Sequence, residues 1–334
     1  MRRTRPTLFI VFLLDVLAVC LMLGLFWFLH QALLRSDTGL SLRLFEERTP
    51  APAASPLEDE PAETPRAPLI DTTPTPSPSP SPTPAPGDFS ATFPDYDTAV
   101  GIDAIYSYQS DDKRIVVYGG YMEEAAYYVA DVWIRYFDLY RTGFAGGSYQ
   151  HGYYEDTVDI AAAYGATVAI SGDYYGAKRS GLVIRNGVLH RDSVAADVCV
   201  LYSDGVMESY YQKDVDVEAI IARGAYQSWS FGPKLLDNGK APSEYQRNDI
   251  GGRHPRAALG YFEPGHYCLV VIDGRQSGYS RGMTFAQMSE LFIKLGCVDA
   301  YNLDGGQTAM MVYEGQVVNK PYKNGRVVSD IVYF

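Results

Sequence analysis

Between Thr49 and Gly87 the chain is dominated by Pro, Ala, Thr and Ser, ending in TTPTPSPSPSPTPAPG, with no apolar periodicity. A segment without such a pattern has no face to bury, so nothing offsets the entropy of ordering it. Any core must therefore lie outside this tract. As polyproline II, at ~3.1 Å per residue, the tract reaches on the order of 100 Å, the length of a stalk.

The short side begins with Arg2, Arg3 and Arg5. Leu8–Leu29 follows, a run of 22 residues with a single charge, Asp15. As a helix at ~1.5 Å per residue it spans roughly 33 Å, enough to cross a bilayer. It ends in Phe26-Trp27-Phe28-Leu29, an interfacial aromatic belt rather than a small-residue cleavage site. The expectation is a signal anchor over residues 1–34, a juxtamembrane piece and disordered linker over 35–87, and a folded domain over 88–334. The arginines place that domain outside the cell, on a single-pass membrane protein.

Residues 88–334 carry 31 acidic against 21 basic side chains and all 27 tyrosines. No basic stripe exists, which argues against nucleic acid as a partner. Cys199, Cys268 and Cys297 show no C-x-x-C spacing and read as buried thiols; the histidines are scattered, without a zinc pattern.

The folded part reads as α/β in the mixed α+β sense: one domain of mixed twisted sheets with flanking helices. Strands are expected at Ile115–Tyr118, Tyr127–Ile134, Ala166–Ile170 and Val198–Tyr202. Hairpins are expected around Asn186-Gly187 and Pro264-Gly265, and helical turns at Ile160–Tyr164 and Val217–Arg223. A strand at Tyr267–Ile272 stops at Asp273-Gly274. Thr284 and Gln287 form a capping-box pattern opening a helix whose apolar face is Phe285, Met288, Leu291, Phe292 and Leu295; Gly296 stops it. The next strand, Ala300–Leu303, ends in Asp304-Gly305-Gly306. This strand–helix–strand unit at 267–303 predicts two parallel strands, with Asp273 and Asp304 at one edge of the sheet, where ligands bind in such units.

Strand interiors disfavour Asp and Gly. A carboxylate at a strand end beside two residues lacking Cβ lets a ligand approach the backbone closely. Asp173 follows a strand in the same way. Arg275, Ser277, Ser280 and Arg281 lie in a glycine-rich loop, and Arg256 precedes a strand; such donors suit a phosphate or a polyhydroxyl ligand.

Four segments resemble the phosphodiester glycosidase family: AISGDYYG (169–176), PRAALG (255–260), DGRQSGYSRGMT (273–284) and NLDGGQTAMM (302–311), with Val318-Asn319-Lys320-Pro321 following. Their order and spacing also match. Two positions depart from the family's usual pattern: Ser171, where it has Asn, and Gln307, where it has a small residue. The resemblance implies hydrolysis of a sugar-1-phosphodiester, with a carbohydrate or sugar-phosphate substrate from cell-surface or exopolysaccharide glycans. Glycosidic cleavage passes through an oxocarbenium-like state usually served by two carboxyl groups. On that footing Asp304 is expected as base or nucleophile and Asp273 as its partner or orienter. Arg256 and Arg275 would clamp phosphate; Asp173, Ser280 and Thr308 would position the sugar beside Gly305 and Gly306. No cofactor is required; calcium is compatible with the aspartates, although no ligand spacing demands it. A non-catalytic module for wall glycan or exopolysaccharide assembly would share the ligand without turnover.

Overall fold

The computed structural model describes residues 87–94, 103–246 and 248–334. The expected membrane helix at 8–29 and nearly all of the linker lie outside them. Among the described residues no helix is long and apolar enough to cross a membrane.

A seven-stranded sheet runs in the order 106–109, 113–122, 125–134, 266–272, 256–263, 299–302 and 234–236. A five-stranded sheet runs 316–317, 311–313, 168–171, 330–333 and 141–144, and smaller sheets of three and two strands complete the set. Three α-helices are described: Thr157–Ala163, Val217–Ala222 and Phe285–Leu295. The fold is sheet-rich α+β with few helices.

The central strands are buried on both faces, and period-two alternation divides them between two cores. Along 266–272, Leu269 and Val271 join the core that also holds Ile170 and Met311 of the five-stranded sheet. Cys268, Val270 and Ile272 point the other way, onto Met288, Leu291 and Phe292 of the helix Phe285–Leu295. That helix opens on the expected Thr284–Gln287 capping box and closes on Gly296, whose φ of 88° suits a residue without Cβ. The hairpin at Asn186-Gly187 forms as expected, with positive φ at both turn residues.

One expectation is corrected. The strands 266–272 and 299–302 do run the same way, but they are not neighbours. The strand 256–263 lies between them, antiparallel to both. Its hairpin with 266–272 claims one edge, and 299–302 pairs with the other. Every named strand pair among the described residues is antiparallel, so the sheets are not of mixed direction. The ends of Ile272 and Asn302 are thus two strand spacings apart, roughly 10 Å.

Candidate active site

Asp304 follows the strand Asp299–Asn302 and precedes the short turn Gly306–Thr308. Gly305 is packed so closely that a Cβ would fall 2.7 Å from the Pro255 carbonyl oxygen. Gly306 has a φ of 67°, and its N–H donates to that same oxygen at 2.8 Å. The Thr308 hydroxyl donates to the Gly305 carbonyl at 2.8 Å and closes the turn. The Asp304 N–H donates to the Gly172 carbonyl at 3.2 Å, and the Ser171 hydroxyl donates to the Asp304 carbonyl at 3.3 Å. The ends of two strands from different sheets are laced together here.

A cavity of about 340 Å³ opens over this turn. Asp304 lies in it, 9% exposed, with Arg326 Nη2 donating to its Oδ2 at 3.2 Å. Burial pushes its carboxyl group up to about 6. The Arg326 charge and Thr308 oppose that rise, the Asp173 charge adds to it, and Lys178 opposes it. Arg256, Arg275, His254 and Gln307 also line the cavity. Arg275 is exposed at the rim, where its Nη2 donates to His254 Nδ1 at 3.1 Å, since a guanidinium cannot accept. Burial and the charges of Arg256 and Arg275 hold His254 below the usual histidine range, which keeps that nitrogen available.

Arg256 reaches the cavity wall but also holds a loop. Its Nη2 donates to the carbonyls of Ile250 and Gly252, both at 2.7 Å, its Nε donates to Met283 O at 3.1 Å, and the guanidinium lies 4.2 Å over the Phe285 ring.

Asp273 is placed differently from expectation. It is 1% exposed and does not line the cavity. Its Oδ1 accepts from Asn319 Nδ2 at 2.7 Å; its Oδ2 accepts from the Lys320 N–H at 2.9 Å and the Tyr279 hydroxyl at 2.8 Å. Ser280 also faces away from the cavity, donating to the Asp273 carbonyl at 2.6 Å and accepting from the Ala126 N–H at 3.0 Å. The intervening strand 256–263 keeps the two strand-end aspartates from sharing one pocket. Asp273 and Ser280 instead tie the loop after the strand 266–272 to residues 319–320 and to the hairpin at Ala126.

Asp173 is buried close enough to Asp304 for its charge to be felt there. Its Oδ2 accepts from the Ser230 N–H at 2.6 Å and lies 3.9 Å from Arg185 Nη2. Behind it stands Asp330, paired with Arg185 at 2.8 Å and pushed up to about 7 by burial, with Arg185 opposing and Asp173 adding.

Sequence reasoning missed Arg326, His254 as a cavity residue, Lys178, Arg185 and Asp330. Arg326 follows Asn324-Gly325, an ordinary turn signal, and no periodicity marks it. Gln307, a departure from the family pattern, donates from Nε2 to the Gly325 carbonyl at 2.7 Å. Its bulk thus spans from the Gly306–Thr308 turn to the loop that carries Arg326. Among the described residues no group of three or more His, Cys, Asp or Glu side chains converges as a metal site.

A model of the phosphodiester glycosidase family matches residues 164–334. Over 146 residues, 42% of this chain, the sequence is 36% identical to the SPbeta prophage-derived uncharacterized protein YomE of Bacillus subtilis (strain 168). The match spans only 22% of that relative's length. The catalytic domain of zebrafish N-acetylglucosamine-1-phosphodiester alpha-N-acetylglucosaminidase, auto-inhibited by its pro-peptide, matches with a TM-score of 0.53 and 19% identity, over 70% of this chain and 86% of that one. A hypothetical protein from Synechocystis matches with a TM-score of 0.52 and 14% identity, over 69% of this chain and 64% of that one. At these identities the two structures speak for the fold alone.

Proposed function

The chain belongs to the phosphodiester glycosidase family, and from that premise we propose that its folded domain hydrolyses a sugar-1-phosphodiester at the cavity over Asp304. The observation that carries this reading is a buried carboxylate set among cations in an acidic protein. Arg326, Arg275 and Arg256 line the cavity with Asp304, and the Lys178 charge reaches it, whereas the whole chain has a net charge of −12. A site of that polarity selects an anionic ligand and repels little of it.

In the proposed reaction the C1–O bond of the sugar breaks and the phosphate leaves as a monoester. Positive charge develops at the anomeric carbon in an oxocarbenium-like state. Asp304, ionised above about pH 6, stabilises that charge and either attacks C1 or takes a proton from water. The leaving phosphate is already a stable anion, so it asks little of a general acid. Arg275 and Arg326 hold it through charge-assisted hydrogen bonds, with Arg326 turning from Asp304 toward the phosphate as substrate enters. The Gly305–Gly306 backbone stands beside the sugar, whereas Asp173, expected there, is buried, does not line the cavity and acts through its charge on Asp304. Asp273 serves at one remove, by fixing the loop on which Arg275 sits.

The test is a panel of sugar-1-phosphodiesters, assayed for released sugar, with Asp304→Asn as control. Binding without turnover throughout the panel would replace hydrolysis with glycan binding. The apolar run at 8–29 and the proline-rich tract make this, on the same reading, a membrane-anchored domain on an extracellular stalk. Protease added to intact cells should then release a fragment cut within 49–87, and full protection of the domain would overturn that placement.

A further inference from the structure

On the reading that Asp304 carries the reaction, we propose that Asp330 and Arg185 are positioning residues that fix the Gly172–Asp173 turn against which Asp304 is set. Both are buried, and neither lines the cavity.

Asp330 begins the strand Asp330–Tyr333 and uses both oxygens inward. Its Oδ2 accepts from Arg185 Nε at 3.0 Å and Nη2 at 2.8 Å. Its Oδ1 accepts from the Asp173 N–H at 2.9 Å, while its backbone carbonyl accepts from the Gly172 N–H at 2.9 Å. A Cβ on Gly172 would lie 2.6 Å from Asp330 Oδ1, so the carboxylate reaches this turn only because residue 172 is glycine. The Gly172 carbonyl is in turn the acceptor for the Asp304 N–H. Asp330 thus grips the two residues that hold the backbone of one carboxylate and carry the side chain of another.

Arg185 is gripped as firmly. Its Nη1 donates to the carbonyls of Ile184 and Ser228, and its guanidinium lies within 6 Å of the ring centroids of Tyr175 and Trp229. One buried guanidinium therefore faces two carboxylates, Asp330 at 2.8 Å and Asp173 at 3.9 Å. Burying such a triad is costly and poor evidence for stability, since apolar residues of similar volume often do as well. Its geometry is what an apolar replacement could not reproduce.

The charges are also connected. Asp304 faces Arg326, Asp173 and Lys178, with Arg256, Arg275 and His254 on the same cavity wall. Asp330 faces Arg185 and Asp173, with the hydroxyls of Tyr164 and Tyr175 within reach of its charge, and His190 feels Arg185. Asp330 shares the Arg185 guanidinium with Asp173.

The experiment records pH profiles of kcat and KM, with thermal melts, for the wild type, Asp330→Asn and Arg185→Lys, on the phosphodiester turned over in the panel. Asp330→Asn keeps the size of the side chain but turns one accepting oxygen into an amide nitrogen that cannot accept, so the turn loses one of its ties and kcat should fall on the order of 10-fold at unchanged KM. Arg185→Lys keeps the charge but loses the two-nitrogen grip, so the acid limb of kcat should stay while kcat falls on the order of 10- to 100-fold at unchanged KM. Variants that melt lower yet keep kcat would make the pair merely structural and overturn the proposal. If Asp330→Asn does not fold, a folded Arg185→Lys with wild-type kcat overturns it alone. Failure of the underlying reading looks different: Asp304→Asn would then turn over like the wild type, and both inferences would fall together.

Discussion

Asp273-Gly274 and Asp304-Gly305 are written alike, each just past the end of a central strand of the same sheet. Their carboxylates meet different surroundings. Asp273 is enclosed by an amide, a hydroxyl and a backbone N–H. Asp304 has a half-exposed arginine on one oxygen and a cavity in front of it. The difference lies in what arrives from elsewhere in the chain: residues 319–320 fold over the first, while residues 322–326 stop at the rim of the second. A strand-end aspartate marks a place where chemistry can be built; the neighbours decide whether it is left free to act.

That contrast is open to measurement. The largest expected effect is on turnover. Asp304→Asn should lower kcat by about 10³-fold or more while the protein still melts cooperatively. Asp273→Asn in the same assay should cost far less; equal losses would mean that both carboxylates reach the reacting atoms. Stability should show the reverse. Asp273→Ala leaves three donors without their acceptor and should cost about 2–4 kcal/mol in denaturant unfolding. Asp304→Ala should cost under about 1 kcal/mol, and a loss matching that of Asp273→Ala would erase the distinction.

Acid titration sharpens it further. The Asp304 carboxyl is raised from 3.8 to about 6 by burial, so the folded state disfavours its ionised form. The penalty is absent below about pH 4, grows up to about pH 6 and is constant above, on the order of 1–3 kcal/mol. Asp304→Asn should therefore melt above the wild type at pH 7–8 and together with it near pH 4. Coincident melts at both pH values would mean that water reaches the carboxylate freely. The smallest effect concerns the rim. Arg275→Ala should lose about tenfold more rate on the phosphodiester than on a neutral aryl glycoside of the same sugar; equal losses would make Arg275 structural.

The sequence shows much of this layout and conceals the rest for identifiable reasons. The helix Phe285–Leu295, its caps and the Asn186-Gly187 hairpin are local: propensity, period and turn chemistry lie within a dozen residues. Asp304 is legible because Asp and two glycines interrupt an apolar strand. The neighbour of the strand 266–272 is not. A crossover helix predicts the direction of the next strand, but not that a preceding hairpin strand will take the adjoining edge. Asp330 is hidden differently. In SDIVYF it reads as the polar start of a strand, and its partner Arg185 is 145 residues away. Long-range charge pairs leave no local trace.

The placement of the strand 330–333 between 168–171 and 141–144 bears on how the molecule is made. Its middle position means that the five-stranded sheet cannot close until residues 330–333 have been synthesised. The Gly172 turn that receives Asp304 waits for the same event, because Asp330 completes it. During synthesis the site therefore stays unassembled while more than 150 residues of its framework already exist, and pairing of such high sequence separation is slow.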